Sequence, residues 1–310
     1  MKTLDLVRRR MALAASRPFG YTRYPLENTL EYRGDPGLFG PGSVSWKVIG
    51  DVSSLVGGIR ALLVQAAHPE VVAGVADHSR YREDPLGRLS RTSAYVTATT
   101  FGALPEVDEA VERVRRAHRP IRGRSHRGRG YSADAPDLSA WVHNALTDSF
   151  LAAYQYFGPG TLTPAEADHF VAEQARIGRL LDAAPLPVTA RELGDWIAEH
   201  PGIAPSPGME AAVDFLTSPP LGGIGLRVGY RVLQAGAIAT LPESLRKVLG
   251  VRSNDRAIDV AKAVVSTLRW SMGSSPSWHL ALIRTDSPVP DDLFRQPLPI
   301  GRAGATGRPA

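Results

Sequence analysis

The chain has 310 residues, a formal net charge of +5 and no cysteine. It is long enough to bury a full hydrophobic core, and the absence of thiols excludes disulfides, thiolate-held zinc, Cys-ligated iron–sulfur clusters and thiolate-ligated haem. No apolar run approaches the length of a membrane span, and the first twenty residues lack the apolar stretch of a secretory signal, so we expect a cytoplasmic protein without an integral membrane segment.

Irregular structure is predicted before residue 45, and helices follow it. Residues 1–44 are rich in Pro, Gly and aromatic residues, which is typical of an irregular arm with a short helix at its start. Residues 59–75 repeat apolar side chains at helical spacing, with His68 on the apolar stripe and Pro69 interrupting it.

A second helix, predicted over 88–101, carries a polar stripe. Four side chains follow each other at steps of four, three and four and therefore share one face: Arg88, Thr92, Tyr95 and Thr99. Such a stripe can simply face solvent. The rest of the segment contains no Lys or Glu, however, which is unusual for a solvated face and favours a polar site.

A single histidine stands in the apolar stripe of the third predicted helix, over 108–119. His118 continues the line of Val111 and Val114, while the other faces are charged. A buried imidazole needs a hydrogen-bond partner or a metal, because an unpaired buried polar group costs about 1–3 kcal/mol. Pro120 lacks an amide proton, so the helix should end or kink beside His118.

Arginines cluster between residues 113 and 129. Most of them are interpreted as a solvated helix end and a loop, with one or two available for an anion such as phosphate, carboxylate or haem propionate. Nucleic-acid binding is not expected, because no aromatic residue is interleaved with these cations before Tyr131.

Helical patterns continue beyond this loop. Residues 138–157 are apolar nearly all round, which predicts a central helix, and they include His143. Capping boxes begin helices at Thr163 and Thr189. Further helical segments are 209–216, 230–239, 243–249 and 255–271. Period-two alternation is nearly absent, so we predict an all-α fold with one helical bundle domain over 45–285 and a loose tail over 286–310.

Three histidines therefore lie in consecutive predicted helices, at His68, His118 and His143. For any one of them, a hydrogen-bonded core position is the more frequent explanation. Helical bundles assemble cofactor sites from facing helices, and a single histidine suits haem iron, whose other four ligands come from the porphyrin.

Several sequence blocks carry a more specific signal: HPEVVAGVADHS at 68–79, RLSRT at 88–92, RRAHRPIRG at 115–123 and AWVH at 140–143. Together they resemble a family of haem-dependent oxygenases that includes latex-clearing protein (rubber oxygenase) and the fungal oxygenase of mycophenolic acid biosynthesis. The resemblance covers roughly residues 45 to 285.

The resemblance implies a globin-like helical core that holds haem b through one axial histidine, here His118. It also implies roles for Arg88 and Thr92 in activity, with Arg91 at a position where a basic residue recurs. Latex-clearing proteins use a distal glutamate as a base, and Glu70 lies near that place. We expect His68 to be the stronger distal candidate on helical geometry, and we add His143 to the haem-binding residues.

The resulting hypothesis is a haem b-dependent oxygenase that acts with dioxygen on a small apolar molecule, such as an isoprenoid or another unsaturated lipid, with an unknown electron donor if one is needed. Two alternatives stay open. One is a non-catalytic helical binding protein whose arginine cluster docks an acidic partner. The other is a non-haem metal site built from His68, His118 and a carboxylate. A di-iron site is not expected, because Glu166 and His169 form only one E-x-x-H element.

Overall fold

The computed structural model describes residues 2–16, 24–79 and 82–299, and it confirms the all-α prediction. In these residues the α-helices are α1 (Lys2–Ser16), α2 (Val44–Gly50), α3 (Ser54–Ala66), α4 (Pro69–His78), α5 (Pro85–Phe101), α6 (Leu104–His118), α7 (Pro136–Phe157), α8 (Pro164–Leu180), α9 (Ala190–Ala198), α10 (Pro207–Thr217), α11 (Ile224–Ala239), α12 (Glu243–Leu249), α13 (Ala257–Met272) and α14 (Pro276–Arg284). A 3₁₀ turn covers Thr29–Glu31, and two short strands, β1 (Arg122–Arg124) and β2 (Gly130–Ser132), form an antiparallel hairpin.

Helix α7 lies at the centre of the bundle, as its apolar composition predicts. It packs most extensively on α3 and also contacts α8, α9 and α13. Its large side chains Trp141 and Tyr154 are buried in the main hydrophobic core. Of the site residues described below, His143 lies on this central helix, whereas Arg88, Thr92 and His118 lie on α5 and α6.

The helix predicted over 59–75 is two helices in the structure. Helix α3 ends at Ala66, and α4 begins at Pro69 with His68 as its N-cap residue in an extended conformation. Proline is favourable at the first helical position, because the amide proton it lacks would have no partner there. His68 consequently stands at a helix junction and not on a continuous stripe.

Helices α5 and α6 form an antiparallel pair, because only Gly102 and Ala103 separate them. Helix α5 begins where the Asp84 carboxylate accepts a hydrogen bond from the amide of Gly87. Helix α6 ends at His118, before Pro120, as predicted. His118 therefore lies at the same end of the pair as the first turns of α5.

The described residues of the N-terminal arm include the helix predicted at its start and contact the bundle. Fifteen of its residues form α1, which packs against α13. The guanidinium of Arg284, fully buried, donates to Thr29 Oγ1 at 2.6 Å and to the carbonyl oxygens of Asp35 and Phe101. The described part of the predicted tail also has contacts, since Phe294 stacks on the ring of His279.

Within the described ranges, no single helix is long and apolar enough to cross a membrane. Helices α2 and α3 reach that length only together, across a bend of 90°.

Candidate functional site

The imidazole of His118 is half-buried at the end of α6 and is held by the backbone. Burial lowers the pKa of His118, whereas the charge of Asp134 and a hydrogen bond to the backbone of Ala133 raise it. This hydrogen bond raises the pKa because a ring N–H donates to the Ala133 carbonyl oxygen, which stabilises the protonated ring. Ligating histidines are commonly oriented in this way, since the other ring nitrogen then remains available to a metal.

The carbonyl of Ala133 is positioned by the β1–β2 hairpin. The amide of Ala133 donates to the carbonyl of Ile121 at 3.0 Å, and these two residues immediately flank the paired strands. Tyr131 of β2 packs against Gly74 of α4 and donates its hydroxyl proton to Asp77. Helix α4 thus supports the hairpin, and the hairpin supports the ring of His118.

The first turns of α5 bring polar groups to the same end of the α5–α6 pair. Arg88 is half-buried, and Thr92, one turn further on, is exposed. Arg91 is exposed and pairs with Asp84 at 3.3 Å. The structure therefore places two arginines and a hydroxyl at the helix end where His118 stands.

Further along the same stripe, Tyr95 and Thr99 face His143 of α7 across a small cavity. The space is about 20 Å³, room for about one water molecule. The Oη atom of Tyr95 is buried without a hydrogen-bond partner, and burial raises the pKa of Tyr95 above its ordinary range. Burial lowers the pKa of His143 to about 4. At neutral pH this cavity is therefore lined by a protonated phenol and a neutral imidazole.

His68 lies in a different cluster. Its ring contacts those of Trp141 and His200, with centroids 5.6 and 5.5 Å away, and its Nδ1 atom lies 3.5 Å from Oε2 of Glu70. Burial lowers the pKa of His68 to about 4. None of these contacts involves α5 or α6. The structure thus separates His68 from His118, Arg88 and Thr92.

Glu70 beside it is fixed by the tip of the hairpin. The guanidinium of Arg127 donates to both carboxylate oxygens of Glu70, and the Ser125 hydroxyl donates to Oε1 at 2.7 Å. The hydrogen bonds from Arg127 lower the pKa of Glu70 to about 2. A carboxylate with so low a pKa is a poor proton acceptor near neutral pH.

The other histidine motif shows no metal-binding arrangement. Glu166 forms the capping box with Thr163, as predicted, and His169 is exposed. Among the residues that the structure describes, no group of three or more His, Asp or Glu side chains could hold a metal ion.

Comparison with known proteins identifies the family. A family model described as "ER-bound oxygenase mpaB/B'/Rubber oxygenase, catalytic domain" matches residues 46–270, from α2 to α13. The chain belongs to this family. The match confirms the resemblance drawn from the sequence blocks, and it assigns the chain to oxygenase catalytic domains, which act on small molecules with dioxygen. No curated protein and no solved structure matches the chain.

Two features of this mpaB/rubber oxygenase domain were not predicted from the sequence. Two members of the arginine cluster have internal partners, since Arg127 binds the carboxylate of Glu70 and Arg115 binds the carbonyl of Leu180. The support of His118 by Ala133 was also missed. The glycines of segment 128–130 permit a tight turn, and they are the sequence feature from which this hairpin could have been predicted.

Proposed function

We propose that the chain is a haem b-dependent oxygenase whose iron is held by His118. The observation that carries this proposal is the position of His118 at the end of α6, with its ring oriented by the backbone of Ala133, an orientation that suits a metal ligand. It lies inside the region that matches the oxygenase family. A single histidine is sufficient for haem, because the porphyrin supplies four of the iron ligands.

The chemistry of the surrounding groups fits this cofactor. Arg88 and Arg91 supply guanidinium groups suited to carboxylates such as the haem propionates. Arg88 and Thr92 also supply hydrogen-bond donors at the end of the pair where His118 lies. Haem, when bound, supplies the iron at which dioxygen is activated, and the protein contributes ligation, donors and exclusion of water.

The cavity beside α5 has mixed walls and, at about 20 Å³, is smaller than any organic substrate. Its polar lining residues are Tyr95, Thr99, Thr100, His143 and Gln174, and its apolar ones are Val96, Leu146, Phe150 and Ile177. The substrate class is therefore proposed from the family, whose description includes rubber oxygenase, and not from this cavity. We propose an isoprenoid or similar lipid-like substrate, and a separate electron donor where the reaction requires one.

The non-haem alternative lacks similar support. It requires His68 and His118 to share one metal ion, yet the two side chains belong to separate clusters at opposite ends of α4. Glu70, the carboxylate nearest to His68, is held by Arg127 and Ser125.

The visible spectrum of the purified protein tests the proposal. After reconstitution with haem we expect an intense violet absorption band that shifts on reduction and on addition of carbon monoxide. His118→Ala should abolish the band, and His118→Gly should regain it when imidazole is added. The controls His169→Ala and His68→Ala should keep it. A band that survives in His118→Ala, or wild-type protein that stays colourless after reconstitution, would overturn the assignment.

A further inference from the structure

Exposed apolar side chains concentrate on three neighbouring helices. Of the eleven large hydrophobic residues that the structure describes as exposed, seven lie on α1, α11 and α13: Leu6, Val7, Leu13, Ile224, Val228, Val260 and Trp270. Helix α13 contacts both α1 and α11. This concentration distinguishes one side of the bundle from the rest of the described surface.

The outer face of α13 carries both apolar and polar side chains. Val260, Ala263, Thr267 and Trp270 are exposed and follow each other at steps of three, four and three. The opposite face, which includes Ala261 and Val265, is buried in the second hydrophobic cluster. Exposed Val260 and Trp270 beside Lys262 and Asp259 give this outward side a mixed apolar and charged surface.

Helix α11 presents two apolar side chains beside α13. Ile224 and Val228 stand one turn apart and are 74% and 55% exposed. The last turns of α11 meet the first turns of α13, where a Cβ at Gly236 would lie 2.6 Å from Cβ of Ala261. Leu233 and Ala237 of α11 share the second hydrophobic cluster with Ala261 and Val265 of α13, so the two helices are packed neighbours.

The same three helices carry mostly positive charge. Five basic side chains are exposed on them: Arg9, Arg10, Arg227, Arg231 and Lys262. In the part of these helices whose side chains are described, the acidic residue is Asp259. Arg227 and Arg231 also line an open cleft of about 200 Å³ together with Thr217, Ser218 and Tyr230. The hydroxyls of Thr217 and Tyr230 donate to backbone carbonyls, so the two guanidinium groups are the donors suited to a phosphate group here.

We propose that this face, formed by α1, α11 and α13, docks on the surface of an anionic lipid bilayer. Aliphatic and Trp side chains interleaved with arginines are the composition of helices that lie in a membrane interface. Trp270, Val228 and Ile224 enter the interface, and Arg227 and Arg231 bind lipid phosphates. A second copy of the chain is the less suitable occupant, because a symmetric contact would set arginines against arginines.

Vesicle binding by the full chain tests this docking, and it does not depend on haem. We expect the protein to sediment with vesicles of phosphatidylcholine that contain phosphatidylglycerol, and to bind pure phosphatidylcholine vesicles more weakly. Added salt should release it. Arg227→Glu/Arg231→Glu should weaken binding to the anionic vesicles by about tenfold or more, since each basic residue near the surface contributes to the attraction.

Ile224→Glu/Val228→Glu should also abolish sedimentation with the vesicles. Two variants are matched controls that should bind like wild type: Val188→Glu, at a residue 49% exposed elsewhere, and Arg191→Glu, on α9. Vesicles should shift the Trp fluorescence to shorter wavelength, and Trp270→Phe should remove the shift. The proposal fails if the wild-type protein does not bind anionic vesicles. It also fails if the variants of α11 (Arg227→Glu/Arg231→Glu and Ile224→Glu/Val228→Glu) bind like the controls. It also fails if light scattering without lipid shows a dimer that Ile224→Glu/Val228→Glu dissociates.

Discussion

The ion pair between Glu70 and Arg127 should contribute strongly to stability, and its contribution should depend on pH. Both carboxylate oxygens of Glu70 are paired with the guanidinium, and the Glu70 side chain is 6% exposed. The pKa of Glu70 is about 2 in the folded protein against an ordinary value of 4.5. Each unit of difference between the folded and unfolded pKa values corresponds to about 1.4 kcal/mol. The ionised carboxylate therefore contributes about 3 kcal/mol to the free energy of unfolding at neutral pH.

The direction of the pH dependence follows from the lowered pKa of Glu70. This stabilisation is fully present above the unfolded-state pKa of about 4.5 and disappears as the pH falls through about 2. Arg127→Met should therefore cost about 3 kcal/mol of unfolding free energy at pH 7 and only about 1 kcal/mol at pH 3. Urea unfolding followed by circular dichroism at both pH values measures these numbers.

Two further variants sharpen that test. In Arg127→Met/Glu70→Gln the buried carboxylate is neutral, so the double variant should be more stable at pH 7 than Arg127→Met alone. Arg124→Met removes an exposed arginine of the same hairpin and should change stability by less than about 0.5 kcal/mol. Equal losses for Arg127→Met at pH 7 and pH 3 would refute the reasoning.

Three other predictions concern packing, capping and proton uptake. A Cβ at Gly57 would lie 2.7 Å from Cδ1 of Phe150, so Gly57→Ala should destabilise the α3–α7 contact by about 1–3 kcal/mol; Gly58→Ala meets nothing within 4 Å and should raise the melting temperature instead. Thr189 caps α9 through its side-chain oxygen, so Thr189→Ala should cost about 1 kcal/mol in urea unfolding while Thr189→Ser costs little. The pKa of His143 is about 4 when folded and 6.5 when unfolded, so stability that is present above pH 6.5 should fall by about 3 kcal/mol on acidification to pH 4. His143→Gln should flatten that part of the stability–pH curve, and an unchanged slope would contradict the assignment.

The helical fold was predictable because its signals are local. The apolar circumference of α7, the capping boxes at Thr163 and Thr189 and the stop before Pro120 all depend on residues within a few positions of each other. The sequence-based prediction is wrong where one local pattern is compatible with two structures. The sequence predicts one helix interrupted at Pro69, whereas in the structure Pro69 begins a second helix.

The candidate site was predictable only in part. Periodicity placed Arg88, Thr92, Tyr95 and Thr99 on one face and His118 at a helix end. It gave no information on which of these side chains meet. The separation of His68 from His118 depends on how α4 packs against the hairpin, and the pairing of Arg127 with Glu70 spans 57 positions of the chain. Periodicity in a single sequence relates residues a few positions apart, so it cannot predict such long-range contacts.

These contacts assign a supporting role to Glu70. Its carboxylate holds Arg127 and Ser125 at the tip of the hairpin, and Tyr131 ties the base of the hairpin to Gly74 and Asp77 further along α4. Two ends of one rigid helix thus fix the hairpin that carries the carbonyl of Ala133. Because that carbonyl accepts the ring N–H of His118, weakening the Glu70–Arg127 pair should loosen the proposed axial ligand without removing it. A Glu70 acting as the reaction base would require Arg127 to move away first, since the pair keeps the carboxylate ionised, buried and fully hydrogen-bonded.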